Sequence, residues 1–178
     1  MASLSRKFFS WVLLPGALIL GILLGFGLLN PPSAVAAIRQ LEETPGQMVY
    51  QSRQTLDDQQ GNRWQAIAFK RIRSDGQTSF ALRLVGFPGV TAIDHSQPLV
   101  LTGSLGNTLT AADDSGEMFT DEAAPKPNIG QYNLQPVLSQ LEAAIPLQVT
   151  LPTLDDNSVS LTVPPTLIAE WKSVAGYE

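Results

Sequence analysis

The sequence predicts a mainly β protein: an antiparallel sheet of barrel-like or sandwich form with two short helices. Three observations predict it. Residues 63–73 and 77–85 alternate in character on either side of Ser74-Asp75-Gly76, and form the strongest hairpin signal in the chain. Two further pairs of short segments, 98–102 with 108–111 and 147–151 with 158–163, flank turn-forming stretches. Helical spacing of apolar residues occurs only twice, each time briefly. Helices laid over an opening or an edge of the sheet are the natural packing for such a set.

The first element is a leader. Arg6 and Lys7 are the only charges before Arg39, and Phe8 to Leu29 is almost wholly apolar over 22 residues. Asn30-Pro31-Pro32-Ser33 breaks that run, and the small residues Ala34-Val35-Ala36-Ala37 follow. A charged start, an apolar middle, a helix break and an A-x-A site make a secretory signal, with cleavage expected after Ala36 or Ala37. The alternative is a retained N-terminal membrane anchor, because 22 residues at about 1.5 Å each reach across a hydrocarbon core of about 30 Å. In both readings Arg6 and Lys7 stay on the cytoplasmic side and the rest crosses. Residues 1–37 are therefore a signal peptide or anchor, and residues 38–178 a single exported β-rich domain.

Residues 38–46 read as a lead-in ended by Pro45-Gly46. Residues 48–53 have the texture of a short strand, and Asp57 to Asn62 is a turn by composition. In the hairpin, one face carries Trp64, Ala66, Ala68, Lys70 and Ile72 with Phe80, Leu82 and Leu84, and is the better core face. The other carries Ile67, Phe69, Arg71 and Arg73, facing Ser79, Ala81 and Arg83. A slip of one residue would exchange the returning side chains between faces. Gly86-Phe87-Pro88-Gly89 ends the second strand, and residues 90–94 are short and extended. Asp113 to Gly130 is acidic, contains proline, and reads as a long exposed loop. Asn133 can cap a first helix in which Leu134, Val137, Leu138 and Leu141 form one stripe, stopped by Pro146. After the last strand pair, Pro164-Pro165 opens a final helix with Leu167, Ile168, Trp171, Val174 and Ala175 on one side.

Composition removes several classes of function. There is no cysteine, so disulfide scaffolds, thiolate catalysis and cysteine-based metal sites are excluded. One histidine cannot build a multi-histidine cage. The whole chain has 11 basic and 16 acidic side chains and a net charge of −5; without residues 1–37, nine basic residues remain against 16 acidic ones, a net of −7. That balance argues against nucleic acid as a partner.

Candidate sites follow from what remains. His95 lies in Ile93-Asp94-His95-Ser96, but three neighbouring residues on a strand cannot converge as a triad, and no G-x-S-x-G elbow is present. The acidic pairs do not follow the alternating calcium-loop pattern; Asp113, Asp114 and Glu117 are the least poor choice, and turn chemistry explains them better. Paired carboxylates of the glycosidase kind lack aromatic-rich surroundings. No residue is assigned a catalytic or metal role, and no cofactor is implied. The basic cluster is more informative: Arg63, Lys70, Arg71, Arg73 and Arg83 concentrate in one hairpin of an acidic protein. Arginines around the apolar Phe69 resemble a docking surface. Phe87, set by two glycines and a proline, is either a core plug or a loop tip that inserts into a partner.

The runs Tyr50 to Leu56, Gly61 to Lys70, Leu84 to Gly89, Asn128 to Leu134 and Val163-Pro164-Pro165 together resemble an uncharacterised family of exported proteins found chiefly in cyanobacteria, a domain of unknown function. The resemblance covers nearly all of residues 38–178. It implies a periplasmic or thylakoid-lumen address and supplies no catalytic residue.

The expected function is that of a non-enzymatic exported accessory or binding protein, assisting a membrane complex, such as a photosynthetic one, at its lumenal surface. Arg71, Arg73 and Arg83 are the expected charge contacts, and Phe69 and Phe87 the apolar anchors. The partner would be a protein with an acidic surface, or anionic lipid head groups at the membrane. The alternatives are a carrier of an apolar lipid or pigment, with Trp64, Phe80 and Leu82 lining a partly open barrel, and a hydrolase using His95.

Overall fold

The computed structural model describes residues 38–87, 91–118, 126–155 and 157–178. The expected leader lies outside the described residues, as do Pro88-Gly89-Val90, Asp121-Glu122 of the acidic loop, and Asp156. Among the described residues the fold is mainly β, as the alternation predicts: two antiparallel sheets, one α-helix and short 3-10 turns.

The first sheet has five strands in the order β1 (Arg39–Thr44), β2 (Gln47–Asp57), β3 (Arg63–Ile72), β4 (Thr78–Gly86) and β7 (Ile129–Asn133). The second has four, in the order β6 (Thr108–Ala111), β5 (Leu99–Gly103), β8 (Leu147–Leu151) and β9 (Val159–Val163). The sheets do not close into a barrel. Single bridges join them at two corners, Asp58 with Leu161 and Asp113 with Tyr132. The result is a sandwich seamed at both sides.

The β3–β4 register is the one the alternation predicts. Ala66 pairs with Leu84, Ala68 with Leu82 and Lys70 with Phe80 on the inner face; Ile67 pairs with Arg83 and Phe69 with Ala81 on the outer face. Gly76 closes this hairpin with a φ of 82°, a left-handed conformation that a side chain would strain. Trp64, Phe80, Leu82 and Leu84 from the first sheet meet Leu99, Leu101, Val149, Leu151, Leu161 and Val163 from the second in one continuous core. Trp64, Phe80 and Leu82, the expected lining of a ligand barrel, are packed into this core together with Tyr132 and Trp171.

Three local expectations are revised. Residues 39–44 form a strand rather than a lead-in. With a single apolar residue, this segment shows no alternation, and its pairing rests on main-chain bonds to β2. Residues 129–133, expected to be loop and helix start, form β7. The first predicted helix is instead a run of turns ending in a 3-10 turn at Leu138–Gln140. Leu134, Val137 and Leu141 are buried as expected. Spacing by three also aligns side chains in 3-10 turns, so the stripe did not discriminate. Asn133 does accept the Gln135 N–H at 3.1 Å, as a turn residue.

The final helix, α1 (Pro165–Ala175), starts at proline as predicted and buries Leu167, Ile168, Trp171 and Val174 against the sheet. Its end is held by Lys70, whose Nζ donates to the Ala175 carbonyl at 2.9 Å and to the Tyr177 carbonyl. Tyr50 stacks on Tyr177 with ring centroids 4.7 Å apart. Among the described residues no helix is long and apolar enough to cross a membrane.

Candidate partner-binding face

The outer face of the five-stranded sheet is built from the odd-numbered side chains of β2, β3 and β4. Val49, Ile67, Phe69 and Ala81 form a small buried cluster there, separate from the main core, with Val85 packed beside it. Neighbouring arginines cover it. The Arg71 guanidinium lies 5.5 Å from the Phe69 ring centroid and that of Arg83 lies 5.2 Å from it, both within cation–π range. Arg71 is fixed by Glu43 of β1, Nε to Oε2 at 3.0 Å. Arg83 is fixed by Gln131 of β7, with Nη2 donating to Oε1 at 2.7 Å. Arg53 of β2 pairs across the sheet with Ile67, which pairs in turn with Arg83. The Arg53 side chain is exposed and has no hydrogen-bond or ion-pair partner among the described residues.

Arg53, Arg71 and Arg83 thus cluster around Ile67 and Phe69, with the Glu43 carboxylate on Arg71. Burial pushes the Arg83 guanidinium below its usual value, and repulsion from Arg71 and then Arg53 adds to this against the attraction of Glu43. The face carries surplus positive charge on an acidic protein. An anionic group set among these arginines would relieve that repulsion and could accept paired N–H donors.

The five residues expected to contact a partner divide. Phe69, Arg71 and Arg83 come together. Arg73 lies beyond the end of β3, where its Nη2 is 3.8 Å from Glu117 Oε2. Phe87 lies at the opposite end of the hairpin, where its N–H donates to the Arg63 carbonyl, and it is 45% exposed. One expectation is corrected. Phe69 is only 4% exposed, so it is the platform beneath two arginines and not an accessible anchor. Lys70, counted in the basic cluster, points inward to α1. Sequence reasoning missed Arg53, Glu43 and Gln131. Strand parity places Arg53 on a face with Val49, but only the β2–β3 register brings that face beside Phe69.

Gln131 is the buried hub behind this face. Its N–H donates to Ser115 Oγ at 2.9 Å, and its carbonyl accepts the Asp114 N–H at 2.7 Å. Ser115 Oγ donates to Asp113 Oδ2 at 2.9 Å, and His95 Nδ1 lies 3.1 Å from the same oxygen. His95, Asp113 and Ser115 are therefore in contact, with the carboxylate in the middle. A hydrolase triad needs the imidazole between acid and nucleophile. Ser115 is fully buried, and among the described residues His95 Nε2 is buried without a partner.

The trio Asp113, Asp114 and Glu117 is also dispersed. The Asp113 carboxylate is taken by His95 and Ser115, and Glu117 faces Arg73. Burial and then the neighbouring Glu117 push the Asp114 carboxyl above its usual range. Among the described residues no three acidic or histidine side chains are grouped for a metal ion.

Residues 36–174 match the protein family described as a protein of unknown function, DUF3122. No curated protein and no solved structure matches the chain.

Proposed function

We propose, for a chain that belongs to the DUF3122 family, the role of an exported, non-enzymatic binding module that docks an acidic protein surface through Arg53, Arg71 and Arg83. One observation carries the reading: two guanidinium groups stacked on the buried Phe69 ring, one of them held by Glu43, with a third across Ile67. Holding the arginines over a ring lowers the entropy lost when they engage a carboxylate, so this face is prepared for contact. Its charge would steer an acidic partner and would weaken with salt. The partner belongs to a membrane complex at its lumenal or periplasmic side.

Export is supported by the order of the leader and by the start of the family match at residue 36, beside the expected cleavage site. The cyanobacterial periplasm or thylakoid lumen is the proposed compartment. Phe87, exposed at the far end of the hairpin, gives that partner a second, apolar contact.

The experiment is cross-linking of the tagged full-length protein in native membranes, followed by mass spectrometry, for the wild type and for Arg53→Glu with Arg71→Gln. Cross-links from the outer face to acidic segments of one membrane-complex subunit, reduced at least tenfold in the variant and by added salt, are expected. An unchanged circular dichroism spectrum establishes that the variant is folded. Wild-type levels of cross-linking in the folded variant would overturn the reading. So would binding to anionic vesicles with no protein cross-link.

A further inference from the structure

We propose that the free edge of β1 pairs with β1 of a second copy of this chain, antiparallel and centred on Leu41. Among the described residues the margins at β7 and β9 are occupied, and the remaining one, β6, is a strand of only four residues. The β7 side receives main-chain bonds from residues 112–114, with the Asn133 N–H on the Ala112 carbonyl at 3.0 Å and the Asp114 N–H on the Gln131 carbonyl at 2.7 Å. The β9 side receives Gln59, whose N–H reaches the Ser160 carbonyl and whose side chain accepts the Ser160 N–H at 2.6 Å. Among the described residues β1 ends its sheet with β2 as its only strand neighbour, and all six of its residues are exposed.

Edge strands in monomers are commonly blunted by proline, lysine or charges that repel a copy of themselves. β1 has a bulge between Glu42 and Thr44, but from Arg39 to Glu42 it is regular. Its charges are complementary to themselves in one register. With Leu41 opposite Leu41 of the second copy, Arg39 falls opposite Glu43 of that copy, and Glu43 opposite its Arg39. These residues share the outer face: Leu41 pairs with Val49 there, and Glu43 reaches Arg71 there. Leu41 is 47% exposed, one of the few large apolar side chains in the open among the described residues. The pairing would cover it with its own copy on the two-fold axis, while main-chain bonds supply the affinity. Surface ion pairs contribute little strength, so Arg39 and Glu43 act mainly to choose the register.

Such a dimer continues the five-stranded sheet into one of ten strands with both arginine faces on the same side. The pairing does not depend on that face having a partner.

Because the chain has no cysteine, one introduced thiol reports on one position. The full-length protein is prepared in detergent as Leu41→Cys and, as a control that is more exposed, at 79%, on the β5–β6 turn, Leu105→Cys. Each is treated with a short thiol-to-thiol cross-linker. A covalent dimer forming at least tenfold faster from Leu41→Cys is expected. Adding Arg39→Glu should bring it to the control rate, whereas Arg39→Lys should leave it near its full rate. A Leu41→Cys rate equal to that of Leu105→Cys would overturn the proposal, even if the leader alone holds two chains together. Equal rates for the Arg39→Glu and Arg39→Lys variants would overturn the register.

Discussion

Lys70 Nζ lies 2.9 Å from the carbonyl oxygen of Ala175, so an inward-facing lysine of the sheet holds the last turn of the closing helix. A lysine on a core face is costly unless its charge finds acceptors. Here it meets the unpaired carbonyls at the negative end of the helix dipole. Lys70→Met keeps the apolar stem and removes the donor. A loss of about 1–2 kcal/mol is expected, with a matching fall in the urea midpoint. An unchanged midpoint would mean that Tyr50 stacking on Tyr177 suffices to hold this end.

Asp58 closes the corner between β2 and β9, and its carboxylate takes four donors. Oδ1 accepts the N–H groups of Gln60 and Asn62, both at 2.8 Å; Oδ2 accepts Asn62 Nδ2 at 3.0 Å and the Trp64 indole at 3.2 Å. Burial alone would push this carboxyl up, but the bonds from Asn62, Trp64 and Gln60 together outweigh it and hold it below its ordinary value. The unfolded chain then binds the proton more readily. Asp58 therefore contributes stability above the unfolded value of 3.8, and that contribution is lost as pH falls through the lower folded value. Asp58→Asn turns an amide donor toward other donors and should cost roughly 2–3 kcal/mol at neutral pH. Urea unfolding at pH 7 and pH 3 tests this. The gap between variant and wild type should narrow at the lower pH, and a constant gap would contradict the assigned linkage.

The hairpin was legible because a period of two and a Ser-Asp-Gly turn together set both faces and the register. The burial of Trp171 and the start of α1 at proline followed from equally local signals. What could not be read depends on partners distant in sequence. β1 has no apolar pattern and exists because β2 offers it main-chain bonds. β7 carries glycine at its second position, and Gly130 is required only because the Tyr132 ring lies over it. At the candidate site, the alternation correctly placed Phe69 beside Arg71 and Arg83 but could not tell an exposed ring from one roofed by guanidinium groups. Arg53 joins them only through the register of β2 against β3.

Gly130 gives a direct test of that packing. A Cβ there would lie 2.8 Å from Tyr132 Oη and 2.9 Å from a ring carbon. The ring is fully buried on the core face and cannot swing into solvent. Gly130→Ala should therefore cost about 1–3 kcal/mol, the usual penalty for overpacking. A second substitution, Tyr132→Leu, shortens the offending side chain. Added to Gly130→Ala, it should make the glycine change nearly neutral in a double-mutant cycle by thermal denaturation. Full additivity of the two effects would show that the ring is not what demands glycine.

Asp114 should behave in the opposite sense to Asp58. Burial and then the adjacent Glu117 raise its carboxyl above 3.8, so the folded chain holds this proton to a higher pH than the unfolded chain does. Stability from this group is gained as pH falls through the raised folded value, and above that value the ionised carboxylate opposes folding. Asp114→Asn removes the like charge while leaving the main-chain bonds between residue 114 and Gln131 in place. It should stabilise the protein at pH 7 by roughly 0.2–0.5 kcal/mol, the scale of a like-charge pair one turn apart, and have no effect at pH 3. Thermal melts at low ionic strength at both pH values measure this. A gain of equal size at pH 3 would assign the effect to packing and not to the charge on Glu117.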